Sequence, residues 1–370
     1  MKTEAAVLWE VGGDWSVEEI ELDPPKEGEV LLRMVATGMC HSDEHLVTGD
    51  LPFELPIIGG HEGAGIVEEV GPGVTLVQPG DKVVLGFVPS CGVCPPCASG
   101  QQNLCDLGMH MATGRQISDG TARHHAKGKD CGLMCLLGTF GRYTVVNQAS
   151  CIKVLEDTPL DKACLVGCGV TTGWGASAYV ADVEPGDVVV VVGCGGVGAS
   201  AVQGAAMAGA RYVVAVDPLE FKREQAMEFG ATHTATSMDE AIGLVQEISW
   251  GRNADKVILT VGVAKGEMVA PMMAMTKKGG TAVVMSVANP FEMDAQLNLF
   301  DLAMQQKTLK GAIFGGGNPR FDIPKLLNLY RDGQLKLDEM VTQTYKLEDI
   351  NQMRADMNDG KNIRGVILFE

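Results

Sequence analysis

Apolar positions in the first quarter of the chain come in short runs broken by glycine and proline: EVLLRMVAT (29–37), GAGIVEEVGPG (63–73) and GDKVVLGFV (80–88). Such short, alternating runs between turn residues predict strands of a mostly antiparallel, barrel-like region. From Asp187 the rhythm changes to strand, glycine turn, helix: DVVVVVGCGGVG, then ASAVQGAAMAG, then RYVVAVD and FKREQAMEFG. ADKVILTVG, GEMVAPMMAMTK and GGTAVVMSV continue the alternation. Nearly continuous Val/Ile runs alternating with helices predict a parallel sheet buried on both faces, a Rossmann-type domain over about residues 170–310. Beyond it lie KTLKGAIFGGG, a helical FDIPKLLNLYRDG and a terminal apolar strand RGVILF. Six strand-like segments already fill the Rossmann region, so this tail is expected to rejoin the first domain. The expected division is 1–169 with 311–370, and 170–310.

A chain of 370 residues with 46% hydrophobic and 21% charged positions has enough material for two cores. Its net charge of −18 would repel a polyanion or an anionic membrane surface, which argues against nucleic acid as a partner. No apolar run approaches the roughly 20 residues of a membrane span, and the acidic N-terminus does not read as a signal peptide, so a cytoplasmic protein is expected. Eleven cysteines without a secretory signal point to reduced thiols and metal ligation rather than disulfides.

The glycines of GCGGVG follow a five-valine strand and open a helix. Gly193 permits the tight turn, Gly195 lets a pyrophosphate approach the backbone, and Gly198 lets helix and strand pack closely, with Gly196 and Val197 at the helix start. The helix N-terminus favours phosphate. Asp217, 24 positions past Gly193, ends the next strand, where a carboxylate accepts ribose hydroxyls and repels a 2′-phosphate; NAD is expected over NADP.

Cys91, Cys94, Cys97 and Cys105 occupy CGVCPPCASGQQNLC, close enough in sequence to converge on one ion. Four thiolates fill a zinc shell and leave no position for substrate, so this site is expected to be structural. Cys40 and His61, in GMCHSDEH and GGHEGAG, supply two ligands of a catalytic-type site, which needs three and an open position. Spacing does not choose the third among Cys131, Cys135, Cys151, Cys164, Cys168 and Cys194.

GMCHSDEH, GGHEGAG, the four-cysteine segment, LVGCGVTTGWG, VVGCGGVG ending at Asp217, KGAIFGG and NIRG together resemble the zinc-dependent medium-chain alcohol dehydrogenases over essentially the whole chain. That resemblance implies an α/β protein with a GroES-like catalytic domain around a Rossmann coenzyme domain, two zinc ions and NAD. It implies Cys40, His61 and Cys168 as catalytic zinc ligands, with Glu62 beside the metal and Asp43 orienting His61. It further implies that Ser42 takes the alcohol proton and passes it through the cofactor ribose to His45 and solvent. Lys222 joins Asp217 on the ribose side, Thr172 lies by the nicotinamide, and His41 and Arg364 match pyrophosphate positions. LGTFGRYTVV, the WG after GCGVTT and DGKNIRGVI are most similar to the bacterial enzymes dependent on N,N-dimethyl-4-nitrosoaniline (NDMA), which are linked to mycofactocin and tend to keep their nicotinamide bound.

The expected reaction is oxidation of an apolar primary alcohol to the aldehyde by a homodimer or homotetramer. Phe87, Phe140 and Phe314 are candidates to line its cleft. The segment 114–135 is expected to be a polar loop with His124 and His125 solvated. A thiol-adduct formaldehyde dehydrogenase, using glutathione or mycothiol, and a non-catalytic NAD- and zinc-binding protein are the competing readings.

Overall fold

The computed structural model describes residues 1–369. The chain divides into two compact units, residues 1–168 together with the chain from Asn318 onward, and residues 169–317.

In the first unit five strands close a barrel: Lys2–Leu8, Ser16–Leu22, His124–Ala126, Lys129–Leu133 and Ile57–Ile58. Closure removes the open sheet edges that would otherwise seek partners. A second, seven-stranded sheet is organised on Glu29–Gly38, which pairs antiparallel with Glu62–Val70, Tyr143–Asn147 and Arg364–Leu368. The terminal strand therefore does return to this unit, with Val366 opposite Gly38. Gly38 is also opposite Glu62, so three segments far apart in sequence end at one corner of the sheet. That corner carries the metal-ligand candidates.

The segment 114–135 is not the solvated loop the sequence suggested. Two of the barrel's strands lie within it, and Arg123 is wholly buried, its guanidinium paired with Glu29 at 2.8 and 2.7 Å. His124 is likewise buried. The Thr144 hydroxyl donates to Leu137 O at 2.7 Å, so the 3.3 Å contact between Thr144 Oγ1 and His124 Nε2 has the ring donating. That leaves His124 Nδ1 a buried acceptor without a partner among the described residues, and burial pushes the imidazole down to about 3. His125 alone is part-exposed, between Asp130 and Asp23 at 2.9 and 3.1 Å.

The second unit is a six-stranded parallel sheet. Numbered by position along the chain within the unit, its strands lie in the order 3-2-1-4-5-6: His233–Ala235, Tyr212–Val216, Val188–Val192, Ala254–Leu259, Thr276–Val284 and Thr308–Gly311. This is the doubly wound order of dinucleotide-binding folds. All five valines of Val188–Val192 are buried, as a central strand covered by helices requires. Thr308–Gly311 forms one edge and is largely exposed. Among the described residues no helix is long and apolar enough to cross a membrane.

Candidate active site

Cys40 follows the end of strand Glu29–Gly38 and caps the helix His41–Thr48. His61 immediately precedes strand Glu62–Val70, and Cys168 follows a tight turn over Cys164–Gly167. One ligand atom each from Cys40, His61, Glu62 and Cys168 lies within 4.8 Å of every other, and all four residues are buried. Of the six cysteines left open by spacing, it is Cys168 that joins the cluster. Two thiols, an imidazole and a carboxylate form a donor set suited to zinc, with borderline-soft sulfur and nitrogen ligands.

Asp43 is buried and tied by two backbone groups, Cys40 N–H to Oδ2 and Gly60 N–H to Oδ1, each at 2.9 Å. Its Oδ1 also faces His61 Nδ1 at 3.4 Å, which turns the other ring nitrogen away from the carboxylate. Burial opposes charge on His61, yet the Asp43 carboxylate raises its pKa well above the ordinary value. A hydrogen bond from Cys168 holds the Cys40 thiol well below its ordinary range, and the same contact raises Cys168. Sharing one proton between two buried sulfurs is what closely apposed ligand thiols do, and a cation relieves it.

Arg364 is buried behind the cluster, with Nη1 donating to Met39 O at 3.0 Å and Nη2 to Glu62 Oε1 at 2.9 Å. The guanidinium thus faces the Glu62 carboxylate and the ligand sulfurs, whose charges reinforce its own protonation against burial. The sequence identified both residues but not their pairing, because they are 302 positions apart.

On helix His41–Thr48, Ser42 lies 3.8 Å from the Cys40 sulfur, and buried His45 points Nδ1 at Asp50 Oδ2, 3.1 Å away. The helix itself is fixed by Arg354, which grips Glu44 with two bonds of 2.6 and 2.9 Å. Phe87 stands edge-on to His61, with ring centroids 6.0 Å apart and planes at 82°. Phe140 and Phe314, by contrast, are core residues with essentially no exposure, and Phe140 packs edge-on against Trp15. Of the three, Phe87 alone is partly exposed beside the ligands.

The Sγ atoms of Cys91, Cys94, Cys97 and Cys105 also lie within 4.8 Å of one another. Cys91 and Cys97, and Cys94 and Cys105, are each 3.9 Å apart. Tetrahedral zinc with bonds of about 2.3 Å sets thiolates about 3.8 Å apart, so the spacing fits. Backbone N–H groups of Cys94, Cys91 and Asp106 point at the sulfurs of Cys91, Cys105 and Cys94 at 3.3 to 3.4 Å, an arrangement that favours thiolates. Arg320, distant in sequence and missed there, donates to Ser90 O at 2.8 Å and brings its charge within reach of the lobe sulfurs. Nothing local in the sequence signals that contact.

In the second unit, Gly193 has φ of 92°, a left-handed value that strains other residues. A Cβ at Gly198 would overlap Gly193 O, while one at Gly195 would meet nothing within 4 Å. The open space above Gly195 lies at the start of helix Gly196–Met207, which places Gly196 and Val197 in the first turn. Asp217 accepts from Cys194 N–H at 2.9 Å and Leu219 N–H at 3.0 Å, and Lys222 follows on helix Glu220–Glu228. Arg223, not singled out in the sequence, steadies this turn with bonds of 2.8 Å to the carbonyls of Asp217 and Pro218. Thr172 Oγ1 is buried without a hydrogen-bond partner among the described residues. An orphaned hydroxyl together with an uncrowded glycine turn suits a nucleotide.

Residues 26–156 match the alcohol dehydrogenase GroES-like domain, and residues 196–332 match the zinc-binding dehydrogenase family. The chain is 53% identical over 370 residues to alcohol dehydrogenase B of Mycobacterium tuberculosis, covering 100% of this chain and 99% of that one. It is 50% identical over 368 residues to an NDMA-dependent alcohol dehydrogenase of Amycolatopsis methanolica, with 100% and 99% covered. Among solved structures, the benzyl alcohol dehydrogenase of Acinetobacter calcoaceticus superposes with a TM-score of 0.92 at 30% identity over the full length of both chains. An alcohol dehydrogenase zinc-binding domain protein of Burkholderia ambifaria gives 0.93 at 31%, covering 100% and 99%. Because the likeness runs through both units rather than through the ligand segments alone, the chain belongs to the zinc-dependent medium-chain alcohol dehydrogenases and is an enzyme of that family, similar to its NDMA-dependent members.

Proposed function

We propose that this enzyme oxidises an apolar primary alcohol to its aldehyde, with NAD as hydride acceptor and zinc held by Cys40, His61 and Cys168. The buried meeting of those three ligands with Glu62 is the observation that carries the reading. Zinc supplies Lewis acidity that lowers the pKa of an alcohol hydroxyl, and the nicotinamide accepts the hydride. Ser42 receives the hydroxyl proton and passes it toward His45, one helical turn on, which releases it to solvent. Asp43 holds His61 in orientation, and Arg364 holds Glu62 at the edge of the cluster. Phe87 presents an apolar edge beside His61, which favours a hydrocarbon substituent on the alcohol. His41, at the first turn of its helix, and Arg364 serve the pyrophosphate, and Asp217 and Lys222 serve the adenosine ribose. Gly193, Gly195 and Gly198 shape the phosphate turn, with Gly196 and Val197 presenting the helix N-terminus, and Thr172 contacts the nicotinamide.

Cys91, Cys94, Cys97 and Cys105 hold a second, structural zinc. The coenzyme stays bound between turnovers and is recycled by an external acceptor, mycofactocin or a similar redox partner; the NDMA dependence in the name of the Amycolatopsis relative supports the external acceptor alone. A second copy pairs along Thr308–Gly311, an exposed strand at one edge of the parallel sheet.

The test is to purify the protein without added cofactor, count zinc and bound nicotinamide, and assay primary alcohols with NAD and with NDMA in parallel. Two zinc ions and one nicotinamide per chain, with turnover on the nitroso dye, are expected. Turnover only with free NAD and no bound cofactor overturns the retained-coenzyme reading. Dependence on glutathione or mycothiol would move the assignment to formaldehyde oxidation, and silence across alcohols and aldehydes at full zinc loading would end the catalytic reading.

A further inference from the structure

Helix His41–Thr48 ends at Gly49, whose φ of 79° marks a left-handed cap, and Asp50 is the next residue. A carboxylate here faces the negative end of the helix dipole, where cations are favoured, so the position is not explained by helix stability. Its neighbours explain it better. The Thr48 hydroxyl donates to Asp50 Oδ2 at 2.6 Å and fixes the carboxylate, and the same oxygen lies 3.1 Å from His45 Nδ1. The His45 side chain is 2% exposed, whereas that of Asp50 is 32% exposed. Asp50 therefore stands between a buried imidazole and water. The Thr48 hydroxyl, and after it His45, keep Asp50 ionised by holding its carboxyl below the usual range.

We propose that Asp50 is a positioning residue of the proton relay: by accepting a hydrogen bond from His45 Nδ1–H it fixes the tautomer whose Nε2 takes up the proton released from the alcohol. The inference rests on the roles proposed above for Ser42 and His45. An imidazole that must accept a proton at one nitrogen needs its existing proton held at the other, and an anionic acceptor also stabilises the imidazolium that forms. The proton balance is simple. One proton leaves the alcohol oxygen through Ser42 and enters at His45 Nε2, making an imidazolium paired with Asp50. Release of one proton to solvent restores the neutral ring, and Asp50 remains a carboxylate throughout. No electrons move in this part of the reaction.

The experiment compares Asp50→Asn, Asp50→Glu and His45→Ala in the enzyme as purified, by single-turnover and steady-state alcohol oxidation. An asparagine fits the same space but can offer its amide N–H to Nδ1 and reverse the tautomer. The expected result for Asp50→Asn is a loss of about tenfold in the oxidation step, below the roughly 10²–10⁴-fold of full acid–base assistance because only the positioning of His45 is lost, with KM changed less than about twofold. Zinc content and thermal midpoint are expected to match the parent. Added imidazole or formate buffer is expected to recover part of the rate, and Asp50→Glu part of it without added buffer. Parental rates in Asp50→Asn alongside a slow His45→Ala enzyme would overturn the role of Asp50 and leave the relay standing. Parental rates in both would overturn the relay reading as well. A loss in Asp50→Asn that follows zinc content or thermal midpoint, with no recovery by buffer, would reduce Asp50 to a structural cap.

Discussion

Arg364 donates to Glu62 Oε1 at 2.9 Å and, through its other terminal nitrogen, to the carbonyl of Met39, the residue before Cys40. One guanidinium thereby ties a carboxylate of the Cys40–His61–Glu62–Cys168 cluster to the backbone that presents the Cys40 thiol. Removing one partner of a buried ion pair costs about 3–5 kcal/mol, since the other is left charged and dry. Arg364→Met is therefore expected to lose about that much stability in urea unfolding and to yield zinc faster to a chelator. Pairing it with Glu62→Gln should recover a clear part of the stability loss. Additive losses in the double variant would mean that the two side chains are not coupled.

The two cysteine clusters call for different outcomes. If the four-cysteine cluster holds a structural zinc as proposed, Cys97→Ala opens its shell and is expected to lower the thermal midpoint or disturb assembly. Cys40→Ser or Cys168→Ser is expected to abolish turnover while circular dichroism stays that of the parent. Equal loss of activity at equal stability in all three variants would contradict this separation.

Within the lobe the thiols differ. Burial works against ionisation of Cys91, but the backbone N–H groups of Val93 and Cys94 outweigh it and bring the thiol to about 7. Burial pushes Cys105 up to about 12, and Cys151, elsewhere in the unit, also to about 12. After zinc is stripped, iodoacetamide at pH 7.5 is expected to modify Cys91 first. Peptide mass spectrometry checks the order, and early labelling of Cys105 or Cys151 would refute it.

His124 sets a pH dependence of stability. Its folded pKa, about 3, lies below the ordinary histidine value of 6.5, because the buried site excludes the charged ring. The folded protein binds this proton less readily than the unfolded chain. The contribution is thus fully present above about pH 6.5 and is lost as pH falls from there toward 3. The loss over that window amounts to a few kcal/mol by linkage. His124→Gln is expected to flatten the fall in unfolding free energy between pH 6.5 and 4.5, and an unchanged slope would show that other groups govern it.

Two glycines of the phosphate turn should part company. A Cβ at Gly195 meets no protein atom and its φ is −71°, so Gly195→Ala is expected to fold with parental stability yet lose nicotinamide. Gly198→Ala would drive a Cβ into Gly193 O and is expected to lower stability as well. Calorimetry and the bound-cofactor count distinguish them, and retention of cofactor by Gly195→Ala would place the pyrophosphate elsewhere.

What the amino-acid sequence determined by itself is what depends on near neighbours. Five consecutive valines before a glycine turn specify a central strand and the helix that follows it. Cys91, Cys94, Cys97 and Cys105 lie within 15 residues, so their meeting needs little more than a turn. The Ser42 and His45 spacing likewise follows from one helix. Tertiary structure decided what depends on distant segments arriving together. Cys168 reaches Cys40 and His61 because a turn delivers it to the corner where three strands end. Arg364 reaches Glu62 because the terminal strand returns beside Gly38. His124 is dry rather than solvated because the barrel closes over it. Burial and long-range contact are properties of the packed core, and a local pattern of polar residues carries no record of which of them the core will enclose.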